Sequence, residues 1–238
     1  MPTVNFPIVT VILIALNVAM YFFFQQGGLS LGEPSGEHFN ENVVEYGSIP
    51  YEITHPGEQC VVTGGGAEGC IDGGDADLPA TWLTLLTSIF MHGGLLHLGG
   101  NMLFLWVFGN NIEDHMGRVR FVVFYLVAGF VATFAHVALQ PESTIPLVGA
   151  SGAIAGVMGA YLVWFPNVRI LSLFGFFPIE LAAKWMLGYW FVSQFFISPN
   201  EGVAWAAHVG GFVFGFLAAL AVRRSTRARR TVRRGTYA

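Results

Sequence analysis

Two polar residues in otherwise apolar segments could supply a nucleophile and its base. Ser151 lies in the sequence Gly149-Ala-Ser-Gly152, and His208 lies in Ala206-Ala-His-Val-Gly-Gly211. A serine hydroxyl becomes nucleophilic when a neighbouring base accepts its proton. Taken singly, a serine in a glycine-rich segment and a histidine in an apolar helix are more often packing residues. The pair therefore predicts attack on a carbonyl only if the fold brings the two side chains together.

A second polar pair could stabilise the negative charge that such an attack creates. His97 and Asn101 are four residues apart, so they share one face of a helix. Their side chains could donate to an oxyanion together with the amide of Ser151 at a helix N-terminus. The alternative interpretation of Asn101 is a hydrogen bond between helices.

These residues lie in a chain that is too apolar for an ordinary soluble domain. Hydrophobic residues make up 54% of its 238 positions and charged residues only 11%. A membrane-spanning helix needs about 20 mostly apolar residues. Six stretches approach this requirement, namely 6–24, 95–112, 121–139, 151–165, 181–197 and 203–222. We therefore predict an all-α membrane protein, a bundle of six transmembrane helices whose apolar surface contacts the lipid bilayer.

The positions of the charged residues predict the orientation of these helices. All 11 Lys and Arg residues lie at or beyond Arg118, while ten of the 15 acidic residues lie between Glu33 and Asp77. Because Lys and Arg favour cytoplasmic loops, we predict that both termini are cytoplasmic. The chain then divides into a first helix (1–26), an acidic outer loop (27–80), a core with helices two to six (81–222) and a basic cytoplasmic tail (223–238). The lack of a targeting segment before the first helix favours a prokaryotic plasma membrane.

This orientation places the candidate residues at a similar depth. Predicted helices two, four and six all run from the outer to the inner face, and Asn101, Ser151 and His208 lie toward their outer ends. Glycines, which permit close helix approach, recur on helices four and six as Gly152, Gly156, Gly159, Gly211 and Gly215. No Asp or Glu lies in the outer half of any predicted helix, so we expect a Ser-His dyad rather than a triad.

The acidic outer loop contains the two cysteines of the chain, Cys60 and Cys70. Two cysteines ten residues apart in an oxidising compartment favour a disulfide. The alternatives are two free thiols or half of a metal site, although a tetrahedral zinc site would need further ligands.

The candidate residues lie in three motifs that resemble those of the rhomboid family of intramembrane serine proteases. Residues 91–101 are similar to its His-x4-His-x3-Asn motif, residues 149–152 to its Gly-x-Ser-Gly motif, and residues 207–215 to its Ala-His-x2-Gly-x3-Gly motif. The resemblance covers approximately residues 82–220. It implies a six-helix bundle that cleaves transmembrane protein substrates and uses no metal or other cofactor.

The same resemblance implies a role for each residue of the site. Ser151 is the nucleophile and His208 the general base, while His97, Asn101 and the Ser151 amide bind the oxyanion. The supporting residues are His92, Gly149, Gly152, Gly211 and Gly215.

Two positions depart from the family pattern. Leu83 follows Trp82 where family members commonly have Arg, and Ala155 stands where an aromatic residue often packs on the catalytic histidine. Neither change removes a reacting group, so we expect an active protease in which another side chain holds His208.

Three other function classes are weighed against this one. A catalytically inactive rhomboid-like protein that binds transmembrane helices is the main alternative. A small transporter would not account for Ser, His and Asn residues gathered near one face, and no inverted repeat is evident. A metal enzyme could use His92, His97 and His208 but would lack an acidic partner. The net charge of −4 is only the sum of an acidic loop and a basic tail and describes neither face of the protein. A nucleic-acid partner is not indicated.

Overall fold

A computed structural model gives the structure of residues 5–29, 31, 37–63, 67–72, 79–174, 177–197 and 203–235. The helices are α1 (Ile8–Ala19), α2 (Glu37–Tyr46), α3 (Pro50–Thr54), α4 (Thr81–Thr87), α5 (Leu95–Phe104), α6 (Asn110–Met116), α7 (Arg118–Leu139), α8 (Ser151–Trp164), α9 (Ala183–Ser193) and α10 (Trp205–Gly235). Short π-helical turns extend α1 (Met20–Phe24) and join α5 to α6 (Leu105–Gly109). Turns of 3-10 helix follow α4 (Ser88–Phe90) and α9 (Gln194–Phe196).

The helices differ in whether they could cross a membrane. In the described part of the chain, Arg118–Leu139 and Trp205–Arg223 are long and apolar enough by length and composition. Thr81–Phe90 and Leu95–Met116 form a third candidate if this pair, bent by 76°, is one span. The apolar helices Ile8–Phe24 and Ser151–Trp164 are shorter. The mostly helical architecture is as predicted, whereas the count of six spans stays a prediction.

Two antiparallel hairpins correct the prediction of an all-α chain. Strands β1 (Glu58–Thr63) and β2 (Ala67–Asp72) form one hairpin, and strands β3 (Arg169–Phe174) and β4 (Phe177–Ala182) form the other. The fifth predicted helix, expected from residue 181, therefore begins later, because Leu181 lies on β4 opposite Ile170. A short apolar run does not by itself distinguish a strand from a helix, which is why the sequence pattern placed this boundary wrongly.

Helix α8 lies at the centre of the helical core. Nearly every residue from Gly152 to Val163 is buried, so the helix touches protein on all sides and can be shorter than a lipid-exposed span. A Cβ atom on Gly211 would overlap the carbonyl oxygen of Gly152, and one on Gly215 would overlap that of Gly156. The backbones of α8 and α10 therefore touch, as the glycine spacing predicts. This contact brings the first turns of the two helices together.

A buried carboxylate attaches α1 to the rest of the core. Glu113 on α6 accepts hydrogen bonds from the amides of Val9 and Thr10 at 3.0 and 2.8 Å, and from the Thr10 hydroxyl at 2.8 Å. Amides in the first turn of a helix have no partner within the helix. Glu113 thus caps α1 from a distant part of the sequence.

We expect Glu113→Gln to lower the stability of the protein. The amide presents a donor where a carboxylate oxygen now accepts, and losing a buried hydrogen bond to a charged group costs about 2 kcal/mol. Thermal unfolding in detergent should show a lower midpoint for this variant. Glu142→Gln is the matched control, because Glu142 is exposed. Equal midpoints for both variants and the wild type would contradict the capping role of Glu113.

The predicted acidic outer loop is folded against the loop that leads into α8. Ser48 and Leu147 form an isolated antiparallel bridge with hydrogen bonds of 3.0 and 2.9 Å, and the Tyr51 amide donates to the Ser143 carbonyl at 3.0 Å. Residues 48–51 therefore support residues 140–150, which immediately precede Ser151. This contact could not be predicted, because no pattern in the sequence indicates which residues of two loops lie opposite each other.

A disulfide connects the two strands of the first hairpin, and the side chain of Glu52 connects this hairpin to α3. Cys60 and Cys70 stand opposite each other on β1 and β2 and form a disulfide in the structure. The Cys60 amide donates to Glu52 at 2.8 Å. Burial raises the pKa of Glu52, and this hydrogen bond opposes the rise in part. The candidate cysteine pair therefore lies in a region that supports the loop before α8.

Candidate active site

The structure places Ser151 and His208 within hydrogen-bonding distance of each other. Ser151 is the first residue of α8 and His208 lies in the first turn of α10. The distance from Ser151 Oγ to His208 Nε2 is 2.9 Å. A serine hydroxyl in contact with an imidazole nitrogen is the arrangement that lets the base take the proton as the oxygen attacks.

Two side chains from α9 and the turn after it contact the far side of His208. Gln194 Oε1 lies 2.7 Å from His208 Nδ1, and the Trp190 ring lies 5.8 Å from the His208 ring between centroids. The aromatic neighbour expected one turn after Ser151, where the chain has Ala155, is thus supplied by another helix. The sequence reasoning did not single out Gln194. Its signal was available, since Gln194 is a polar residue near the outer end of predicted helix five.

His97 and Asn101 lie on α5 beside the backbone that precedes Ser151. A Cβ atom on Gly149 would be 2.9 Å from His97 Nε2 and 3.6 Å from Asn101 Nδ2. Gly149 also has a φ of +125°, which residues with a side chain rarely adopt. Glycine at this position therefore lets the chain pass close to both side chains before α8 begins.

The hydrogen bonds of His97 and Asn101 indicate which of their atoms can donate. The Gly93 amide donates to His97 Nδ1 at 3.4 Å, so a neutral His97 carries its proton on Nε2, the atom beside Gly149. Asn101 Nδ2 is buried and has no hydrogen-bond partner among the residues that the structure describes. Among the described residues neither donor has a protein acceptor, and both lie beside Gly149 and the start of α8.

His92 supports this arrangement from behind. Its ring is fully buried and meets the His97 ring edge-on, with 5.2 Å between centroids. Its backbone is held by Gln25, which donates to the His92 carbonyl at 3.0 Å and accepts from the His92 amide at 2.9 Å. Within the described residues neither ring nitrogen of His92 has a hydrogen-bond partner. The structure therefore places His92 against an oxyanion candidate rather than against Ser151.

One cavity of about 820 Å³ is lined by residues from α5, α8 and α10. Its polar lining includes Ser151, His208, His97, Asn101 and His136. His136, on α7, was not among the residues singled out from the sequence, although it too lies near the outer end of a predicted span. The apolar part of the lining includes Phe104, Ile154, Met158 and Trp190. The cavity therefore combines a serine hydroxyl, imidazole rings and a side-chain amide with room for an apolar side chain. Among the described residues no group of three His, Cys, Asp or Glu side chains could hold a metal ion.

Comparison with known proteins identifies the family of this chain. A family model described as the rhomboid domain matches residues 79–225, which is more than half of the chain. The chain belongs to the rhomboid family. The match contains α5, α8 and the first part of α10 (205–225), the rhomboid helices that bear Asn101, Ser151 and His208. The family resemblance of the three sequence motifs is thereby confirmed, and the chain is a member of a family of integral membrane proteins.

Several curated rhomboid proteins are similar to this chain. Rhomboid protease GluP of Bacillus subtilis is 31% identical over 219 residues, which are 91% of this chain and 35% of GluP. Rhomboid protein 1, mitochondrial, of Saccharomyces cerevisiae is 31% identical over 150 residues, which are 59% of this chain and 42% of the yeast protein. RHOMBOID-like protein 6, mitochondrial, of Arabidopsis thaliana is 33% identical over 138 residues, which are 56% of this chain and 41% of that protein. The matches thus span between 35% and 42% of the length of these three relatives.

Proposed function

We propose that this rhomboid is an intramembrane serine endopeptidase that cleaves transmembrane helices near the outer membrane face with a Ser-His dyad. The observation that carries the proposal is the 2.9 Å contact between Ser151 Oγ and His208 Nε2 in a cavity that also contains His97 and Asn101. Membership of a family that includes proteases gives independent support.

The proposed reaction begins with acylation of Ser151. Its hydroxyl oxygen attacks the carbonyl carbon of a peptide bond, and His208 Nε2 takes the hydroxyl proton. The carbonyl oxygen becomes an oxyanion that accepts hydrogen bonds from His97 Nε2, Asn101 Nδ2 and the Ser151 amide. Within the described residues the Ser151 amide makes no hydrogen bond to another backbone group, and as a first amide of α8 it has no partner within the helix. The oxyanion then collapses and His208 gives the proton to the departing amine.

A second round of the same steps releases the acyl group. Water enters the cavity, His208 takes a proton from it, and the resulting hydroxide attacks the ester carbon. The same donors stabilise the second oxyanion, and the Ser151 oxygen leaves with the proton that His208 returns. The net reaction consumes one water and one peptide bond, and all its proton transfers pass through His208.

The position of Ser151 inside a cavity restricts the conformation in which a substrate can reach it. Carbonyl groups within a helix already accept hydrogen bonds and are covered by neighbouring side chains. A transmembrane substrate must therefore unwind before its carbonyl carbon can reach Ser151. We propose that it enters the cavity as an extended segment and places one side chain against the apolar lining formed by Ile154, Met158 and Trp190.

The orientation in the membrane is part of the same proposal. With both termini cytoplasmic, the cavity opens near the outer face and the second hairpin lies inside, where Arg169 forms an ion pair with Glu180 at 3.8 Å. The distribution of Lys and Arg supports this orientation. We further propose a prokaryotic plasma membrane as the location, and bacterial relatives such as GluP are compatible with it.

Cleavage of a single-span reporter in detergent or liposomes tests the proposal. Reporters with Gly or Pro near the outer end of the helix should be cut in that region, and mass spectrometry of the products locates the bond. A cut that maps only to the soluble part of the reporter would contradict intramembrane cleavage. Transport of solutes by the reconstituted protein without any cleavage would favour the transporter alternative.

We expect Asn101→Ala to reduce turnover while leaving the nucleophile intact. Losing one oxyanion donor costs about 10²- to 10³-fold in turnover, because the charge in the transition state is less well solvated. The decrease should appear in turnover rather than in substrate affinity, since the ground-state carbonyl needs the donor less. An Asn101→Ala protein with wild-type turnover would exclude Asn101 from the oxyanion site.

A further inference from the structure

Gln194 links the candidate base to the backbone of α9. Its Oε1 lies 2.7 Å from His208 Nδ1, and its Nε2 donates to the Trp190 carbonyl oxygen at 3.0 Å. The side chain is buried, with a relative exposure of 4%. Both ends of the amide are therefore engaged by protein groups.

The hydrogen bond to Trp190 determines which way the amide of Gln194 faces. A backbone carbonyl oxygen can only accept, so the NH2 group of Gln194 must face it. The amide oxygen then faces His208, and because this oxygen can also only accept, His208 must donate from Nδ1. A neutral imidazole with its proton on Nδ1 has a lone pair on Nε2, the atom 2.9 Å from Ser151 Oγ.

We infer that Gln194 is a positioning residue that holds His208 in the tautomer and orientation in which Nε2 can accept the Ser151 proton. The inference rests on the proposed function, since it assigns a partner to the base of the dyad. No carboxylate is hydrogen-bonded to His208 within the part of the chain that the structure describes. Gln194 thus stands where a Ser-His-Asp site has its carboxylate.

The contact has a second consequence during the reaction. When His208 accepts the Ser151 proton it becomes positively charged, and its Nδ1–H bond to Gln194 Oε1 becomes a charge-assisted hydrogen bond. A neutral amide stabilises this cation less than a carboxylate does, but it is also far less costly to bury in an apolar site. An amide in this position therefore suits a membrane-embedded enzyme.

Gln194→Met and Gln194→Glu separate the proposed role from simple packing. Methionine has a similar length and volume but offers no comparable acceptor, so labelling of Ser151 by a fluorophosphonate probe should slow about 10- to 100-fold. Glutamate keeps an acceptor at Nδ1 and should restore most of the rate. Its negative charge favours the protonated imidazole, so the pH of half-maximal labelling should rise. Among the described residues, the other titratable groups that face His208 are His97 and His136, and both are unchanged in these variants.

Ser193→Ala is the matched control for the hydrogen bonds on the other side of Gln194. The Ser193 hydroxyl donates to the same Trp190 carbonyl at 2.7 Å and accepts from Gln194 Nε2 at 3.4 Å, and within the described residues no hydrogen bond joins it to His208. The Ser193→Ala protein should be labelled at the wild-type rate and with the wild-type pH dependence. Equal losses in Ser193→Ala and Gln194→Met, without rescue by glutamate, would overturn the inference and leave Gln194 as a packing residue.

The tautomer of His208 gives a readout that does not depend on proteolysis. Nitrogen NMR of ring-labelled histidine, with His208 assigned by comparison with His208→Ala, should show a protonated Nδ1 and a bare Nε2 in the wild type. Gln194→Met should give a mixture of tautomers. A wild type with its proton on Nε2 would overturn the inference, whether or not the protein is a protease. The expected tautomer in a wild type that reacts with no probe and no substrate would support the role of Gln194 and contradict only the proposed function.

Discussion

Replacing His208 by alanine is expected to reduce cleavage of a transmembrane reporter by about 10⁴- to 10⁶-fold. Among the described residues, Ser151 Oγ makes a hydrogen bond only with His208 Nε2. Without the imidazole, none of these residues is placed to take the hydroxyl proton. Ser151→Ala should cause a loss of the same size, because a nucleophile and its base act as one unit. The double variant should be no worse than either single one. Rates of product formation by gel or mass spectrometry measure all three.

The controls for these variants address folding and the choice of residue. His38→Ala removes an exposed histidine of α2 and should cleave like the wild type. Thermal unfolding midpoints show whether the inactive variants are folded. Additive losses in the double variant would contradict a dyad, since they would mean that Ser151 and His208 act in separate steps.

Gly215→Ala is expected to disrupt both the fold and the active site. A Cβ atom at this position would overlap the Gly156 carbonyl oxygen and lie 2.8 Å from the Gly156 Cα atom. Neither neighbour can move without shifting a helix, so α8 and α10 must separate. Overpacking of this kind costs about 3 kcal/mol, which corresponds to a decrease of about 6 to 12 °C in the unfolding midpoint. The separation should also lengthen the Ser151–His208 contact and slow Ser151 labelling at least about 10-fold.

Gly188→Ala makes the same chemical change where the structure has space. Gly188 lies on α9, and nothing would be within 4 Å of a new Cβ atom. Alanine is also the better helix former by about 1 kcal/mol, so the unfolding midpoint should stay the same or rise. Similar losses of stability in Gly188→Ala and Gly215→Ala would contradict close α8–α10 packing as the cause.

The sequence allowed contacts to be predicted at positions where few physical roles can explain the residue type. A serine, two histidines and an asparagine at one predicted depth require partners, and glycines at helical spacing require a close neighbour. The structure brings Ser151 and His208 together across the glycine contact, and it places His97 and Asn101 beside Gly149. These relationships could be predicted, because helix periodicity and membrane depth together restrict which side chains can meet.

Other features could not be predicted, because they depend on three-dimensional contacts between segments of ambiguous pattern. Strand β4 takes residue 181 out of the predicted fifth helix, and apolar content alone does not separate strand from helix there. Gln194, like the predicted site residues, is a polar residue near the outer end of a predicted helix. Only the three-dimensional structure shows that its amide contacts His208. The packing of residues 48–51 on the loop before α8 has no signal in composition or periodicity.

Labelling of the purified wild-type protein with a fluorophosphonate probe, followed by mass spectrometry of the modified peptide, tests the central claim most directly. Unlike cleavage, it does not require the natural substrate. We predict one adduct, on Ser151, that is absent from a folded His208→Ala protein and reduced in Gln194→Met. A folded wild type without an adduct on Ser151, or an adduct that forms equally well without His208, would contradict an activated Ser-His pair and favour a rhomboid that binds transmembrane helices without cutting them.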